Sequence, residues 1–349
     1  MADQIHEQCW TEESLSAFGI YITPELVADA LKDYWHLFAE GRLGHNKVFV
    51  PLDREGCTEG ALVGFVGDYS GVKSIHSNPS NARYKEPTSH IDVVLRNRFT
   101  GRRLFSVDGV AISERRTGWL ALACLNLLLQ GRSQINVFLF GAGKVAEAII
   151  LALNSGASGR IQRIAILSRC NQSNHELVQR LQPEVKISLK AVNNRAYLSK
   201  SKFIITATNS NKPVFEMKEI TDNAVTLTLG IDELPADYFD HVLKLSGIVV
   251  ADDMDAMETR NIDSLALHYS RRHLKLTKHG RDNGIRNYSE VLRDPVLMQR
   301  LISWNGPANF SAVGLASYDL AVAVHLYEKL AKTVVQKYVD HAASVLLAD

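Results

Sequence analysis

Cysteine is scarce in this chain: four residues in 349, Cys9, Cys57, Cys124 and Cys170, far apart and never spaced as CxxC. That argues against a zinc or disulfide framework and for reduced thiols, and no metal is expected. An excess of charge of one sign is also missing, with 39 Lys and Arg against 38 Asp and Glu. So balanced a chain offers no field for a polyanion, and nucleic acid is not expected as a partner. Long apolar runs are absent too. The greasiest stretch, Trp119 to Leu129, is too short to span a bilayer and contains Asn126, while the opening MADQIHEQCW lacks a basic region leading into an apolar core. No membrane partner is expected, and the reading is of a cytoplasmic protein. No repeat, low-complexity tract or flexible linker interrupts the chain, whose length suits two domains.

What the chain does have is alternation on the scale of whole elements. From residue 135, short apolar, β-branched runs take turns with helical patterns: INVFLFG (135–141), RIAILSR (163–169), VKISLKAV (185–192), KFIITATN (202–209), AVTLTLG (224–230) and GIVVADD (247–253). Several of these are apolar almost throughout, as expected for parallel strands covered on both faces. Residues 1–110 read as α+β, and HIDVVLRNRFTGRRLFSVDG predicts an antiparallel hairpin turning at Asn-Arg-Phe-Thr-Gly. The last thirty residues carry apolar positions at i, i+3, i+4 and i+7, which predicts one long amphipathic helix with Asp319 available as its cap. The basic stretch HYSRRHLKLTKHGR (268–281) reads as a solvated surface.

Gly141-Ala142-Gly143-Lys144-Val145-Ala146 is G-x-G-x-x-A, placed after a predicted strand and opening a predicted helix. In that setting Gly141 permits a tight turn, Gly143 lets backbone N–H groups approach a pyrophosphate, and Ala146 allows close helix–strand packing. The turn therefore predicts a dinucleotide. At the end of the second strand, where an NAD-selective protein usually carries a carboxylate, stand Ser168 and Arg169. A carboxylate there would repel a 2′-phosphate, whereas Ser and Arg could bind one, so NADP(H) is favoured over NAD(H).

A redox site for a small charged substrate needs cations for its carboxylate and one group to move protons. Three stretches could supply them. TLTLGIDELPAD puts Asp232 directly beyond the fifth strand, GVKSIHSNP puts Lys73 among apolar neighbours, and ISERRTGW puts Arg115 and Arg116 before an apolar helix. Each also has a plainer reading. Asp232 could cap the turn at Glu233-Leu234-Pro235, Lys73 could snorkel, and Arg115 or Arg116 could pair with Glu114 or Asp108.

The order GVK, RRTG, GAGKVA, GID, FSAVGLASYDLA resembles the ornithine cyclodeaminase/mu-crystallin family, from about residue 40 to about 332. The resemblance implies an α/β fold: a doubly wound Rossmann domain over 118–309, and an α+β substrate-binding and dimerisation domain built from 1–117 and 310–349. It implies that Lys73 and Arg116 hold the substrate α-carboxylate with Thr88 nearby, and that Asp232 is the acid/base beside the C–N centre. Gly141, Gly143, Lys144, Val145 and Ala146 would hold the pyrophosphate. Thr206, Thr208, Asn209, Val313 and Gly314 would line the nicotinamide half. Within the family, SNPSNARYKEPTSHIDVVLRNRFTG is most similar to the branch that oxidises N-(2-amino-2-carboxyethyl)-L-glutamate to 2,3-diaminopropionate and 2-oxoglutarate for siderophores and antibiotics. Three features depart from the pattern. Asn46-Lys47 replaces an expected Pro-Arg, leaving Lys47 as candidate for a second carboxylate clamp; Gly118-Trp119 replaces an alanine-rich continuation; and Ser168-Arg169 differs from the NAD users of that branch. Ornithine cyclodeaminase, ketimine reductase and a non-catalytic crystallin-like binder remain open alternatives. A small amino or imino acid substrate and a homodimer are expected.

Overall fold

The structure is a computed structural model, and it describes residues 5, 8–32, 34–52 and 57–346. The opening stretch on which the no-leader reading rests lies mostly outside these residues. In chain order come α1 (Glu12–Ser16), α2 (Pro24–Lys32) and α3 (Tyr34–Ala39), then β1 (Leu43–Pro51), β2 (Thr58–Val66), β3 (Tyr69–Ser77), β4 (Ser89–Asn97), β5 (Arg103–Asp108) and α4 (Val110–Leu128). Next are β6 (Ile135–Phe140), α5 (Lys144–Ala157), β7 (Ile161–Leu167), α6 (Asn171–Leu181), β8 (Ser188–Ala191), β9 (Phe203–Thr206) and β10 (Val225–Thr228). They are followed by α7 (Tyr238–Lys244), β11 (Ile248–Ala251), α8 (Met254–Arg260), α9 (Ser264–Ser270), β12 (Arg286–Asn287), α10 (Tyr288–Arg293), α11 (Pro295–Ser303), β13 (Ala308–Ser311) and α12 (Ala316–Leu346).

The chain divides into two compact units, 1–116 with 315–349, and 117–314. In the first, β1 to β5 form an antiparallel meander in sequence order, including the β4–β5 hairpin over the expected turn. Register sets which side chains share a face. Lys47, Leu62, Lys73, Val93 and Val107 form one row across all five strands. His45, Gly64, Gly71, Leu95 and Phe105 form another row on that face. This is the face that α12 covers. A Cβ at Gly64 or Gly71 would stand 3.2 or 2.8 Å from Leu320, so glycine at both positions lets the helix lie close to the sheet.

The second unit is an eight-stranded sheet in the order β12-β11-β13-β10-β9-β6-β7-β8, parallel throughout. All six expected strands are present. Two more, β12 and β13, were not expected, and β13 lies between β10 and β11. The domain reading put residues 310 onward with the chain ends, whereas Phe310 and Ser311 pair in this sheet and the unit continues to Gly314. Gly118 answers the Gly-Trp departure. A Cβ there would lie 2.4 Å from the Ala148 carbonyl oxygen, so the glycine is what lets α4 pack on α5.

Candidate active site

Strand order locates the ligand crevice of the second unit. From β6 the chain runs outward through β7 and β8, then crosses back to lay β9 on the other side of β6, so the order reverses between β6 and β9. Ligands of doubly wound sheets bind outside the carboxyl ends of the strands at such a point. Gly141 follows β6 at φ +113°, and a Cβ there would stand 2.2 Å from the Ala207 oxygen beyond β9, so only glycine fits. Gly143 is the cap residue of α5. Among the described residues no side-chain cap bonds the start of that helix, and a Cβ on Gly143 would meet nothing within 4 Å. A helix terminus with uncommitted N–H groups and open space in front of it fits the pyrophosphate of a dinucleotide. Ala146 is buried; Lys144 is exposed and 3.4 Å from Glu147; Val145 is half-buried in the first turn.

Thr206 ends β9 fully buried, and its hydroxyl has no hydrogen-bond partner among the described residues. Thr208 donates from both its backbone N (2.9 Å) and its Oγ1 (2.5 Å) to Glu233 Oε1, and exposed Asn209 follows. The backbone N–H groups of Val313 and Gly314 donate to Asp252, at 3.1 and 3.0 Å for Oδ2. Glu233 and Asp252 are buried acids that fix the loops after β9 and β13, and sequence reasoning missed both. Burial pushes the Glu233 carboxyl up, against the hydrogen bonds from Thr208 that favour its charged form. At the end of β7, Ser168 turns its hydroxyl back to the Cys170 carbonyl, and Arg169 is exposed.

Asp232 follows β10. Its carboxylate takes Arg271 at 2.5 and 3.4 Å, and Ser264 Oγ lies 3.5 Å away. A pocket of about 190 Å³ lies against it, lined also by Phe239, His268 and Arg272. The basic stretch is therefore not merely solvated surface: Arg271 holds Asp232, Arg272 holds Asp240 at 2.6 Å, Arg281 holds Glu290 at 2.8 Å, and His268 is buried. The change has a tertiary cause, because Arg271, Arg272 and Arg281 each meet an acid carried by a different segment of the chain.

In the first unit, Lys73 and Arg116 converge. Lys73 is 2 % exposed, far from a snorkelling lysine, and Arg116 is 8 % exposed. Ser113 Oγ lies 2.7 Å from Lys73 Nζ and 3.5 Å from Arg116, and Asp319 Oδ1 lies 2.8 Å from Lys73. Asp319 binds these cations through its carboxylate rather than serving simply as the cap of α12. Arg115 points elsewhere, to Glu12 at 2.5 Å and the Ile22 carbonyl at 2.6 Å. Lys47 is half-buried in the row of Lys73, two strands away, about 10 Å at the usual strand spacing. Thr88 stands apart: it is exposed before β4, its carbonyl accepting from Asn78, and five positions along from the Val93 that pairs with Lys73.

The model of the ornithine cyclodeaminase/mu-crystallin family matches residues 63–333. The chain belongs to this family. Among family relatives, the Δ1-pyrroline-2-carboxylate reductase of Bacillus thuringiensis subsp. konkukian is 25% identical over 275 residues, covering 74% of this chain and 77% of that protein. An uncharacterised Schizosaccharomyces pombe protein is 29% identical over 155 residues, and there the match spans less than half of that protein's length, 45%. In fold, the Thermococcus litoralis Δ1-pyrroline-2-carboxylate reductase in complex with NADH and L-proline matches with TM-score 0.76 at 18% identity, over 92% of this chain and 96% of that one. An archaeal alanine dehydrogenase dimer with bound NAD matches with TM-score 0.74 at 20% identity, over 92% and 95%.

Proposed function

We propose that the protein moves hydride between a nicotinamide dinucleotide and the C–N bond of a small α-imino or α-amino acid, working chiefly as an imine reductase. Family membership makes it an NAD(P)-dependent enzyme of amino or imino acids. The observation that carries the reading is the convergence of two buried cations, Lys73 and Arg116, a geometry suited to one carboxylate. The bound dinucleotide supplies the hydride. Lys73 and Arg116 pin the carboxylate so that the neighbouring carbon is presented in one orientation, and much of the rate then comes from positioning. Asp232 exchanges the proton at nitrogen, held in one rotamer by Arg271 and Ser264. The relatives named as pyrroline-2-carboxylate reductases support the reductive direction.

Arg169, exposed after β7 with no carboxylate at the strand end, supports NADP(H) over NAD(H). Its replacement by alanine weakens NADPH binding about tenfold and leaves NADH alone, as titration of cofactor fluorescence will read.

A second reading, oxidation of N-(2-amino-2-carboxyethyl)-L-glutamate, is favoured by Lys47, which shares the face of Lys73 and suits a further carboxylate. Incubation with each dinucleotide and either Δ1-pyrroline-2-carboxylate, ornithine or N-(2-amino-2-carboxyethyl)-L-glutamate, with products identified by mass spectrometry, separates them. Proline formed with loss of NAD(P)H supports the reductase, and 2,3-diaminopropionate the second reading. Proline and ammonia from ornithine without net cofactor change mark a cyclodeaminase. Binding with no product from any of them overturns an enzymatic role on these substrates.

A homodimer is part of the proposal. The meanderʼs other face carries Val48, Val50 and Val63, 61%, 54% and 47% exposed, a patch suited to a second copy of the chain.

A further inference from the structure

Two cations are buried side by side only when something compensates them. Asp319, in the first turn of α12, is completely buried with Oδ1 2.8 Å from Lys73 Nζ and Oδ2 3.4 Å from Arg116 Nε. Its helix lies close to the sheet at Gly64 and Gly71, where a Cβ would stand 3.2 and 2.8 Å from Leu320. An ammonium has three N–H donors. Ser113 and Asp319 take two from Lys73, which leaves one uncommitted among the described residues. The guanidinium of Arg116, 5.9 Å from the Tyr318 ring centre, likewise has N–H groups beyond those directed at Asp319 and Ser113.

We propose that Asp319 is a positioning residue that turns Lys73 and Arg116 into a receptor for a single carboxylate: it aims both cations and leaves the trio one positive charge, which one carboxylate neutralises. This rests on the reading of Lys73 and Arg116 as the carboxylate-holding pair. One carboxylate makes a buried group of two cations and two anions, whereas a neutral amide leaves the charge uncompensated and a dianion overshoots it.

The groups facing Lys73 support the division of labour. From α4 come Arg116 and Ser113, from α12 Asp319, and from β1 half-buried His45, bonded to Ser317 Oγ at 3.1 Å, and Lys47; β4 and β5 bring apolar Val93, Leu95 and Val107. Burial lowers the Lys73 ammonium to about 8, Asp319 opposes that fall, and Arg116 adds to it. Without Asp319 both remaining influences act downward, and Lys73 loses its proton in the range where the enzyme must hold its substrate.

Lysine labelled with carbon-13 at Cε, with the Lys73 signal assigned through Lys73→Arg, gives its titration midpoint directly by NMR. Asp319→Asn is expected to lower that midpoint by about one pH unit or more, and Arg116→Gln to raise it. Calorimetry in the presence of NADH supplies a second readout with L-proline and L-prolinamide as probes. The wild type binds the acid and not the amide. Asp319→Asn loses L-proline affinity about tenfold or more at alkaline pH and recovers part of it at acid pH, where Lys73 is again an ammonium; a purely structural defect would lower affinity equally at every pH. A folded Asp319→Asn chain with unchanged Lys73 midpoint and unchanged pH profile overturns the inference. Where Asp319→Asn does not fold, failure of the midpoint to rise in Arg116→Gln overturns it. L-proline binding that depends on Asp319, with no turnover of any imino or amino acid, leaves the receptor standing and removes the proposed reaction; turnover with a pH profile indifferent to Asp319 does the reverse.

Discussion

Lys73 sits where opposing influences nearly meet. Burial pushes it down from the ordinary 10.5, Asp319 pushes it up, Arg116 pushes it down, and it comes to rest at about 8. As pH rises through that value the ammonium is lost, so KM for the imino or amino acid should climb above about pH 8 while KM for the dinucleotide stays flat, which initial-rate kinetics at several pH values will test. Stability runs the other way: between 8 and 10.5 the folded chain has shed a proton that the unfolded chain keeps, so this group favours folding more as pH rises. For Asp319, burial pushes the carboxyl up, but Arg116 and Lys73 outweigh it and hold it below the ordinary range, so its contribution to stability is lost as the solution is acidified through that depressed value. Asp232→Asn should cut turnover by about 10²- to 10⁴-fold with NAD(P)H still bound; near-normal turnover would remove Asp232 from the mechanism. Lys73, Arg116 and Asp232, the residues proposed for the site, stand out in the sequence because their motifs follow a fixed order along the chain. Asp319 was legible only as an acid at a helix start, since its partner Lys73 lies 246 positions away and no local spacing joins them. Glu233 and Asp252 were hidden for the same reason: acids just past strands look like turn formers until the loops they hold are seen.

At the scale of elements, the β6–Gly141–α5 unit is where letters and structure agree most closely, because one residue type meets one steric demand. Gly141→Ala places a methyl group at φ +113° against the Ala207 carbonyl, so it should cost about 1–3 kcal/mol or more and weaken dinucleotide binding, measured by thermal unfolding with and without cofactor. The parallel strands were legible as nearly continuous apolar runs. Strand β13 was not, although all four of its residues are buried. Its sequence, Ala-Asn-Phe-Ser, is half polar. Asn309 Nδ2 donates to Thr226 at 2.7 Å, and Ser311 Oγ lies 2.9 Å from Thr228, so side chains that read as loop-like are satisfied inside the sheet. Hydropathy cannot register a buried strand whose polar groups bond one another. The glycines at 64 and 71 were equally silent, since what they admit is a helix more than 240 residues away.

For the molecule as a whole, composition fixed little beyond class, and the division into two units follows from contacts that no window of sequence contains. The exposed valines on the outer sheet face give the assembly prediction. Val63→Asp, changing a residue 47% exposed, should leave the fold intact and shift a dimer to a monomer, as sedimentation will read; a wild type that is monomeric at micromolar concentration would sink the proposed assembly. The place of β13 has a further consequence, for the order in which the chain is made. It is the last strand of its sheet along the chain yet sits inside it, between β10 and β11, and α12, which follows, covers the meander formed first. A ribosome-bound chain ending near residue 300 therefore holds one sheet with a gap in its middle and another with a bare apolar face. Both units draw on residues 308–346, β13 for one sheet and α12 for the other, so neither core is complete before that stretch is made.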